Sequence, residues 1–416
     1  MKPWPQLFLT AWLSLTVVAL IGAALSDSEP ESEDLTSRVE ESQLKITVDK
    51  LVGFGTRHSL STHGKKAARD WLGREFATVA SAKADAMVVY RHDFADSRLR
   101  GEAGLVPQEN VYAVLKGRRY PDQAIIFGAH YDSLNLTDSH PDAFAPGAND
   151  NASGTAAILE AARVLNRVGH DRTLIFVAFA AEEQGLIGSR HFASFIQNKN
   201  FNLVAMINND IIGGAKDERG KPLNLDSVRC FSEGPQDSDS RRLARAAKLV
   251  VEKKLKGLRV LLQDRVDRPG RGGDHQSFSR QGIPAIRFIE TNETDHLHHT
   301  ALDTADRLHA PYHALVVKAD VALLENLASG PSAPSNIEIS RSGRRLHGSW
   351  QAVDGATGYL IGVRRGGLEF DRIVEVGKPS LSWRESSPGR VQISVASVDR
   401  RGRLSLFSRE KEIVIE

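Results

Sequence analysis

Ala124-Ile125-Ile126-Phe127-Gly128-Ala129-His130-Tyr131-Asp132 is the stretch on which the fold turns. Its apolar start, residues 124–128, reads as a strand buried on both faces, the kind found in parallel sheets covered by helices. That strand runs directly into a histidine and an aspartate. Downstream, residues 153–168 place Ala156, Ala157, Leu159, Ala161, Val164 and Leu165 at helical spacing. Residues 173–180 read as a second strand, 188–197 as a helix and 203–207 as a third strand. A helix over 241–255, a strand over 283–289 and a closing helix over 312–327 complete the alternation. The expectation is an α/β fold, a mostly parallel central sheet with helices on both faces.

Composition narrows the rest. Hydrophobic residues make up 41% of 416, enough for a real core. Lysines and arginines (54) nearly balance aspartates and glutamates (52), and the net charge of +2 gives no electrostatic footprint for nucleic acid. Arg241-Arg242 and Arg344-Arg345 read as solvated faces. Cys230 is the single cysteine, which excludes an intrachain disulfide and a thiolate metal cage.

At the N-terminus, Lys2 precedes an apolar run over 7–25 that ends in Ala23-Ala24-Leu25-Ser26, the order of a secretory signal. Residues 1–26 are expected to be that signal, and the product to be periplasmic or extracellular. Membrane attachment follows only if the segment stays uncleaved as an anchor. Residues 27–42 are acidic and serine-rich and read as a flexible linker. Residues 43–328 form the catalytic domain in this reading. Ser329-Gly330-Pro331-Ser332-Ala333-Pro334-Ser335 marks a linker over 329–336. Trp350, the run 358–363 and the run 391–398 suggest a small all-β C-terminal sandwich over 337–416.

Candidate metal ligands fall where strands of open α/β sheets deliver their ligands, just past the carboxyl ends. His130-Tyr131-Asp132 follows the first strand, Glu182-Glu183 the second, and Asn208-Asn209-Asp210 the third. Between the first two lies Gly147-Ala148-Asn149-Asp150-Asn151-Ala152-Ser153-Gly154, a turn into a helix. Asp295-His296-Leu297-His298-His299-Thr300 and Asp303-Thr304 come late. Without thiolate, zinc takes imidazole and carboxylate. Two zinc ions need a shared carboxylate, and Asp150 on its glycine-rich turn suits that bridge. His130 and Asp210 could complete one ion, Glu183 and His299 the other, with an acidified water on the open edge. Glu182 is left unligated to take that water's proton and deliver it to the leaving amine. Asp132 could accept the His130 imidazole N–H and fix its tautomer.

These segments resemble the two-zinc aminopeptidase family of secreted bacterial leucyl-type enzymes, whose relatives include glutaminyl cyclases and the transferrin receptor. The likeness runs from Phe54-Gly55-Thr56-Arg57 through residues 110–117 to His299-Thr300 and Asp303-Thr304. It implies a zinc exopeptidase fold, two Zn2+ per chain and a peptide or protein substrate with a free N-terminus. It further implies His130, Asp150, Glu183, Asp210 and His299 as ligands and Glu182 as general base. His299 is chosen over His298 because the family's last histidine directly precedes threonine. Asp274-His275 resembles the family's late loop near the substrate. The C-terminal piece resembles a fibronectin type III domain, with Val391 where a tyrosine is usual, and is expected to bind a surface or another protein.

Three other functions are weighed on these residues. A glutaminyl-cyclase-like aminoacyl cyclase would use one zinc, although Asn151-Ala152-Ser153-Gly154 resembles the peptidases. A carboxypeptidase or dipeptidase could use Arg265, Arg268 and Arg271 to grip a carboxylate. A non-catalytic receptor-like protein would have lost ligands that are all present here. Of the sequons at Asn135, Asn151 and Asn292, that at Asn151 reads as chance, because it adjoins the bridge.

Overall fold

The computed structural model describes residues 34–83, 87–214, 216, 221, 223–265, 272–293 and 296–416. The expected signal, residues 1–26, lies outside them, as do Arg268, Arg271 and Asp295. Alternating side chains of the founding strand enter two separate cores: Ile125 and Phe127 one, Ala124 and Ile126 the other. A strand buried on both faces needs a helical layer on each, and it has them.

The strands are β1 (Met87–Phe94), β2 (Gln108–Leu115), β3 (Tyr120–His130), β4 (Arg172–Phe179), β5 (Asn202–Asn209), β6 (Ser227–Ser232), β7 (Arg259–Gln263) and β8 (Ala285–Glu290). They make one sheet in the order β1-β2-β4-β3-β5-β8-β6-β7. The middle strands β4, β3, β5 and β8 run parallel. Antiparallel β2 and β1 continue one side. On the other, β6 is antiparallel to β8 and β7 parallel to β6. Helices α1 (Glu41–Val52), α2 (Gly64–Ser81), α3 (Ser153–Leu165), α5 (Asp239–Lys254) and α7 (Ala310–Ser329) contribute to the larger core. Helices α4 (Ile187–Gln197) and α6 (His275–Ser279) cover the opposite face through Phe192, Ile196 and Phe278.

Two expectations need correcting. The end of the supposed linker 27–42 is folded. Leu35–Arg38 forms a 3-10 turn, Leu35 and Val39 are buried, and the Glu40 N–H donates to Glu160 Oε1 at 2.7 Å. Two apolar anchors outweigh the acidic composition there. Arg241-Arg242 is no solvated face either. Arg241 is 5% exposed, and the neighbouring Arg245 Nε donates to the Leu368 carbonyl at 2.7 Å.

Arg245 sits where a second body docks on α5. That body has strands β9 (Glu338–Ser342), β10 (Arg345–Ser349), β11 (Ala356–Arg364), β12 (Arg372–Val376), β13 (Ser380–Arg384), β14 (Gly389–Asp399) and β15 (Lys411–Ile415). They form a three-stranded sheet, β9-β10-β13, and a four-stranded one, β12-β11-β14-β15. Ala246 packs with Ala396, Leu404 and Phe407. Glu410 receives Arg364 through two bonds of 2.8 and 2.5 Å and lies 3.2 Å from Arg245 Nη1. Asn326 of α7 pairs both ways with the Leu404 backbone, each bond 2.8 Å.

Candidate metal centre

Three parallel strands end side by side, and each hands over a polar residue at its carboxyl end. His130 closes β3, Glu182 and Glu183 follow β4, and Asp210 follows β5. Ala181 (φ 57°), Ile211 (φ 62°) and His299 (φ 55°) all hold left-handed backbone. Such a conformation is uncommon without glycine and an outlier for a β-branched residue, and it clusters at functional sites.

Asp150 arrives on the wide turn Ala148–Ala152, entered through Gly147 at φ 50°. A Cβ at Gly147 would lie 2.5 Å from the Asp150 carbonyl and 2.8 Å from an Arg57 nitrogen, so only glycine fits. Fully buried Arg57 braces this turn. Its Nη1 and Nη2 donate to the carbonyls of Pro146 (2.6 Å) and Gly147 (2.9 Å), and its Nε to that of Tyr131 (2.6 Å). Asp303 accepts the N–H of Asn149 on one oxygen and that of Asp150 on the other, each at 2.9 Å. Glu290 accepts from Asn149 Nδ2 (3.1 Å) and the Gly214 N–H (2.8 Å), and burial lifts its pKa to about 8. The bracing roles of Arg57, Asp303 and Glu290 were missed in the sequence. Asp303 lies in the Asp303-Thr304 pair that follows His299. For Glu290, the signal was a lone acid ending an apolar strand.

The five proposed ligands come together. His130 Nε2 lies 3.2 Å from Asp150 Oδ1 and 3.4 Å from Asp210 Oδ1. His299 Nε2 lies 3.0 Å from Asp150 Oδ2 and 3.1 Å from Glu183 Oε2. His298 lines the same cavity but makes neither contact. Candidate ligand atoms of His130, Glu182 and Asp210 lie within 4.8 Å of one another, as do those of His130, Asp150 and Glu183. Glu182, expected to remain unligated, is therefore close enough to reach a cation. Asp132 differs from expectation. The His130 Nδ1 partner is its backbone oxygen at 3.2 Å, with the carboxylate at 3.6 Å. That carboxylate instead accepts the backbone N–H groups of Glu182 (3.1 Å) and Glu183 (3.2 Å). Asp274 is fully buried at the start of α6, and its carboxylate has no hydrogen-bond partner among the described residues. The His275 N–H donates to Asn208 Oδ1 at 3.1 Å. Asn151, also buried, is locked by its bonds to the Asn209 carbonyl and the Gly154 N–H, both 2.9 Å, and cannot take a glycan.

Charge tests the fit of a metal. Burial raises the pKa of Glu182 well above its usual range, with Asp274, Asp210 and Glu183 adding to the rise. Burial and then Asp150 lift Glu183 to about 7. Burial opposes a charge on His299, but Asp150 and Glu183 overcome it and raise the imidazole to about 11. Carboxylates thus outnumber the imidazoles between them, and Glu183 Oε1 has no hydrogen-bond partner among the described residues. A nitrogen–oxygen set this rich in buried anionic charge suits divalent zinc. The site opens into a cavity of about 680 Å³ whose walls include Leu134, Leu136, Leu186 and Ile211.

Fold and side-chain set together define a metallopeptidase. The family model described as peptidase family M28 matches residues 110–322. A protein named "Probable zinc metalloprotease" from Leptosphaeria maculans is 33% identical over 353 residues, covering 77% of this chain and 81% of that one. Among solved structures, Legionella pneumophila LapA aminopeptidase superposes with TM-score 0.56 at 23% identity, covering 71% of this chain and 74% of LapA. A Bacteroides thetaiotaomicron glutaminyl cyclase bound to N-acetylhistamine reaches 0.55 at 18% identity, covering 70% and 98%. These two share the fold. The chain belongs to peptidase family M28 and is a zinc-dependent metallopeptidase.

Proposed function

We propose that the chain is an exported aminopeptidase that holds two zinc ions and hydrolyses N-terminal peptide bonds. One observation carries the reading: the two oxygens of Asp150 face different imidazoles, His130 at 3.2 Å and His299 at 3.0 Å. A carboxylate shared in this way is what two adjacent cations need. His130 and Asp210 then hold one ion, Glu183 and His299 the other. Bound zinc supplies Lewis acidity towards the scissile carbonyl and lowers the pKa of water.

The chain's own groups do the rest. Glu182 takes the proton of the attacking water and returns it to the leaving amine, and burial favours its protonated form. Asp132 fixes the backbone that presents Glu182 and Glu183. Asp274, with His275 beside it, is the buried carboxylate assigned to the substrate's ammonium group. Export rests on the N-terminal sequence. The described residues contain no helix long and apolar enough to cross a membrane. The three-plus-four strand arrangement supports the fibronectin type III-like reading of the C-terminal sandwich.

The test is a panel of amino-acid amides with free and acetylated amines, assayed with and without chelator, alongside a zinc count. We expect turnover of free amines only, loss with chelator, recovery with zinc and two ions per chain. Equal cleavage of the acetylated amides would reject aminopeptidase action. One ion per chain would favour the cyclase.

A further inference from the structure

Beside the metal cavity lies a second, smaller one of about 240 Å³. Gly272, Gln276 and Arg287 line both. Among its described lining residues the smaller cavity carries three guanidinium groups, Arg241, Arg265 and Arg287, and two carboxylates, Glu233 and Asp264. Glu233 is already engaged by Gln276 Nε2 at 2.6 Å. Asp264 lies 3.8 Å from Arg265, whose side chain is 90% exposed.

The two buried guanidiniums are poorly neutralised. Arg241, 5% exposed, donates to the Ser232 carbonyl and hydroxyl, the Gln263 carbonyl (3.0 Å), the Gly234 carbonyl (3.2 Å) and the Asp264 carbonyl (3.0 Å). Every one of these acceptors is a neutral oxygen. Arg287, 2% exposed, donates to the Gly272 carbonyl. Among the described residues it is paired with the Asp210 carboxylate at 3.5 Å, a proposed zinc ligand whose charge a bound cation would share. Arg241 Nε and His275 Nδ1 are buried without a hydrogen-bond partner among the described residues, whereas Arg287 Nε is the atom that faces Asp210 Oδ2. Buried cations and orphan donors around one hollow suit an anion, and guanidinium groups suit a carboxylate in particular.

We propose that this cavity is a second subsite that takes a carboxylate of the peptide substrate. The carboxylate is either an acidic side chain flanking the scissile bond or the free α-carboxylate of a dipeptide. The assignment rests on the peptidase reading, because the shared wall places the subsite next to the scissile bond. The cavity's modest volume admits a side chain or a chain end and excludes a long peptide segment.

Binding is measured by calorimetry on zinc-loaded Glu182→Gln protein, which separates affinity from turnover. The probes are Glu-Leu against Gln-Leu, Leu-Glu against Leu-Gln, and Leu-Leu against Leu-Leu amide. The first two pairs report a side-chain carboxylate, the third the α-carboxylate. At least one pair should favour the acid by about tenfold or more, the value of a charged hydrogen bond. Arg287→Gln should reduce that ratio to about twofold or less, and charge reversal at exposed Arg265→Glu should reduce it without burdening the fold. Equal binding within all three pairs overturns the proposal, as does a preference that survives both variants. The peptidase reading fails separately, if native protein leaves Leu-Leu uncleaved.

Discussion

The Oδ2 oxygen of Asp303 accepts the backbone N–H of Asp150 at 2.9 Å, so one aspartate sets the position of the other across more than a hundred and fifty residues of chain. Its Oδ1 does the same for Asn149. The Asp150 side chain is thus held from its own main chain. Asp303→Asn places an N–H₂ group against one of those donors. Zinc affinity should fall about 10- to 100-fold, as when ligand supports are lost elsewhere. Competition with a chromogenic chelator measures it, and unchanged affinity would remove Asp303 from the site's support.

Glu182→Gln keeps the size and shape of the side chain but removes the base. Zinc content should stay at the native level while kcat falls about 10²- to 10⁴-fold. Elemental analysis and steady-state kinetics check both. Normal turnover would end Glu182's candidacy as general base.

Arg57→Lys tests the brace beneath the turn. The guanidinium donates to the carbonyls of Tyr131, Pro146, Gly147 and Leu51. Burial lowers its pKa to about 10, so it remains charged at neutral pH. An ammonium group cannot span four divergent carbonyls, and the loss should cost about 2–4 kcal/mol of stability. Urea unfolding of the zinc-free protein gives the value, and a cost below about 0.5 kcal/mol, ordinary for a surface change, would refute it.

Asp320 of α7 is fully buried. It accepts Asn209 Nδ2 at 2.6 Å, and its other oxygen has no partner among the described residues. Burial raises its pKa well above 3.8, with the Asn209 bond opposing. The folded state therefore keeps a proton that the unfolded chain releases above its ordinary pKa. Stability from this group is full below pH 3.8 and declines as pH rises towards the folded value, by at most about 1.4 kcal/mol per unit. Asp320→Asn carries no such proton. The difference in Tm, variant minus native, should grow from pH 5 to pH 8, and a constant difference would disprove the linkage.

The middle of the sheet was legible because β3, β4, β5 and β8 each contain a short apolar run, broken in β8 only by Arg287, and such runs have few alternatives to a buried strand. The outer strands were not. β1 sits at the sheet edge with Val88 and Tyr90 exposed and Arg91, His92 and Asp93 interleaved, so no period emerges. The convergence of His130, Glu183 and Asp210 could be anticipated because strand ends collect ligands, while Asp150 and His299 come from loops and were legible only through their motifs. What held them there was harder to see. Arg57 works through carbonyl oxygens and Asp303 through amide hydrogens, and main-chain groups leave no trace in residue identity. Arg241 and Arg242 read as surface because charge suggests water, while Arg241 is buried against main-chain carbonyls and Arg242 donates to the Phe407 carbonyl of the second body.

The docking of the β-sandwich on α5 bears on how this protein can be shortened. A chain cut after Ser329 would bare Ala246 where Leu404 and Phe407 now rest, and would leave Arg245 without Glu410. Newly wetted apolar surface beside an orphaned cation invites self-association. The sandwich therefore also serves as a lid on an otherwise sticky flank, and truncated preparations of the peptidase half should clump unless that flank is redesigned with polar side chains.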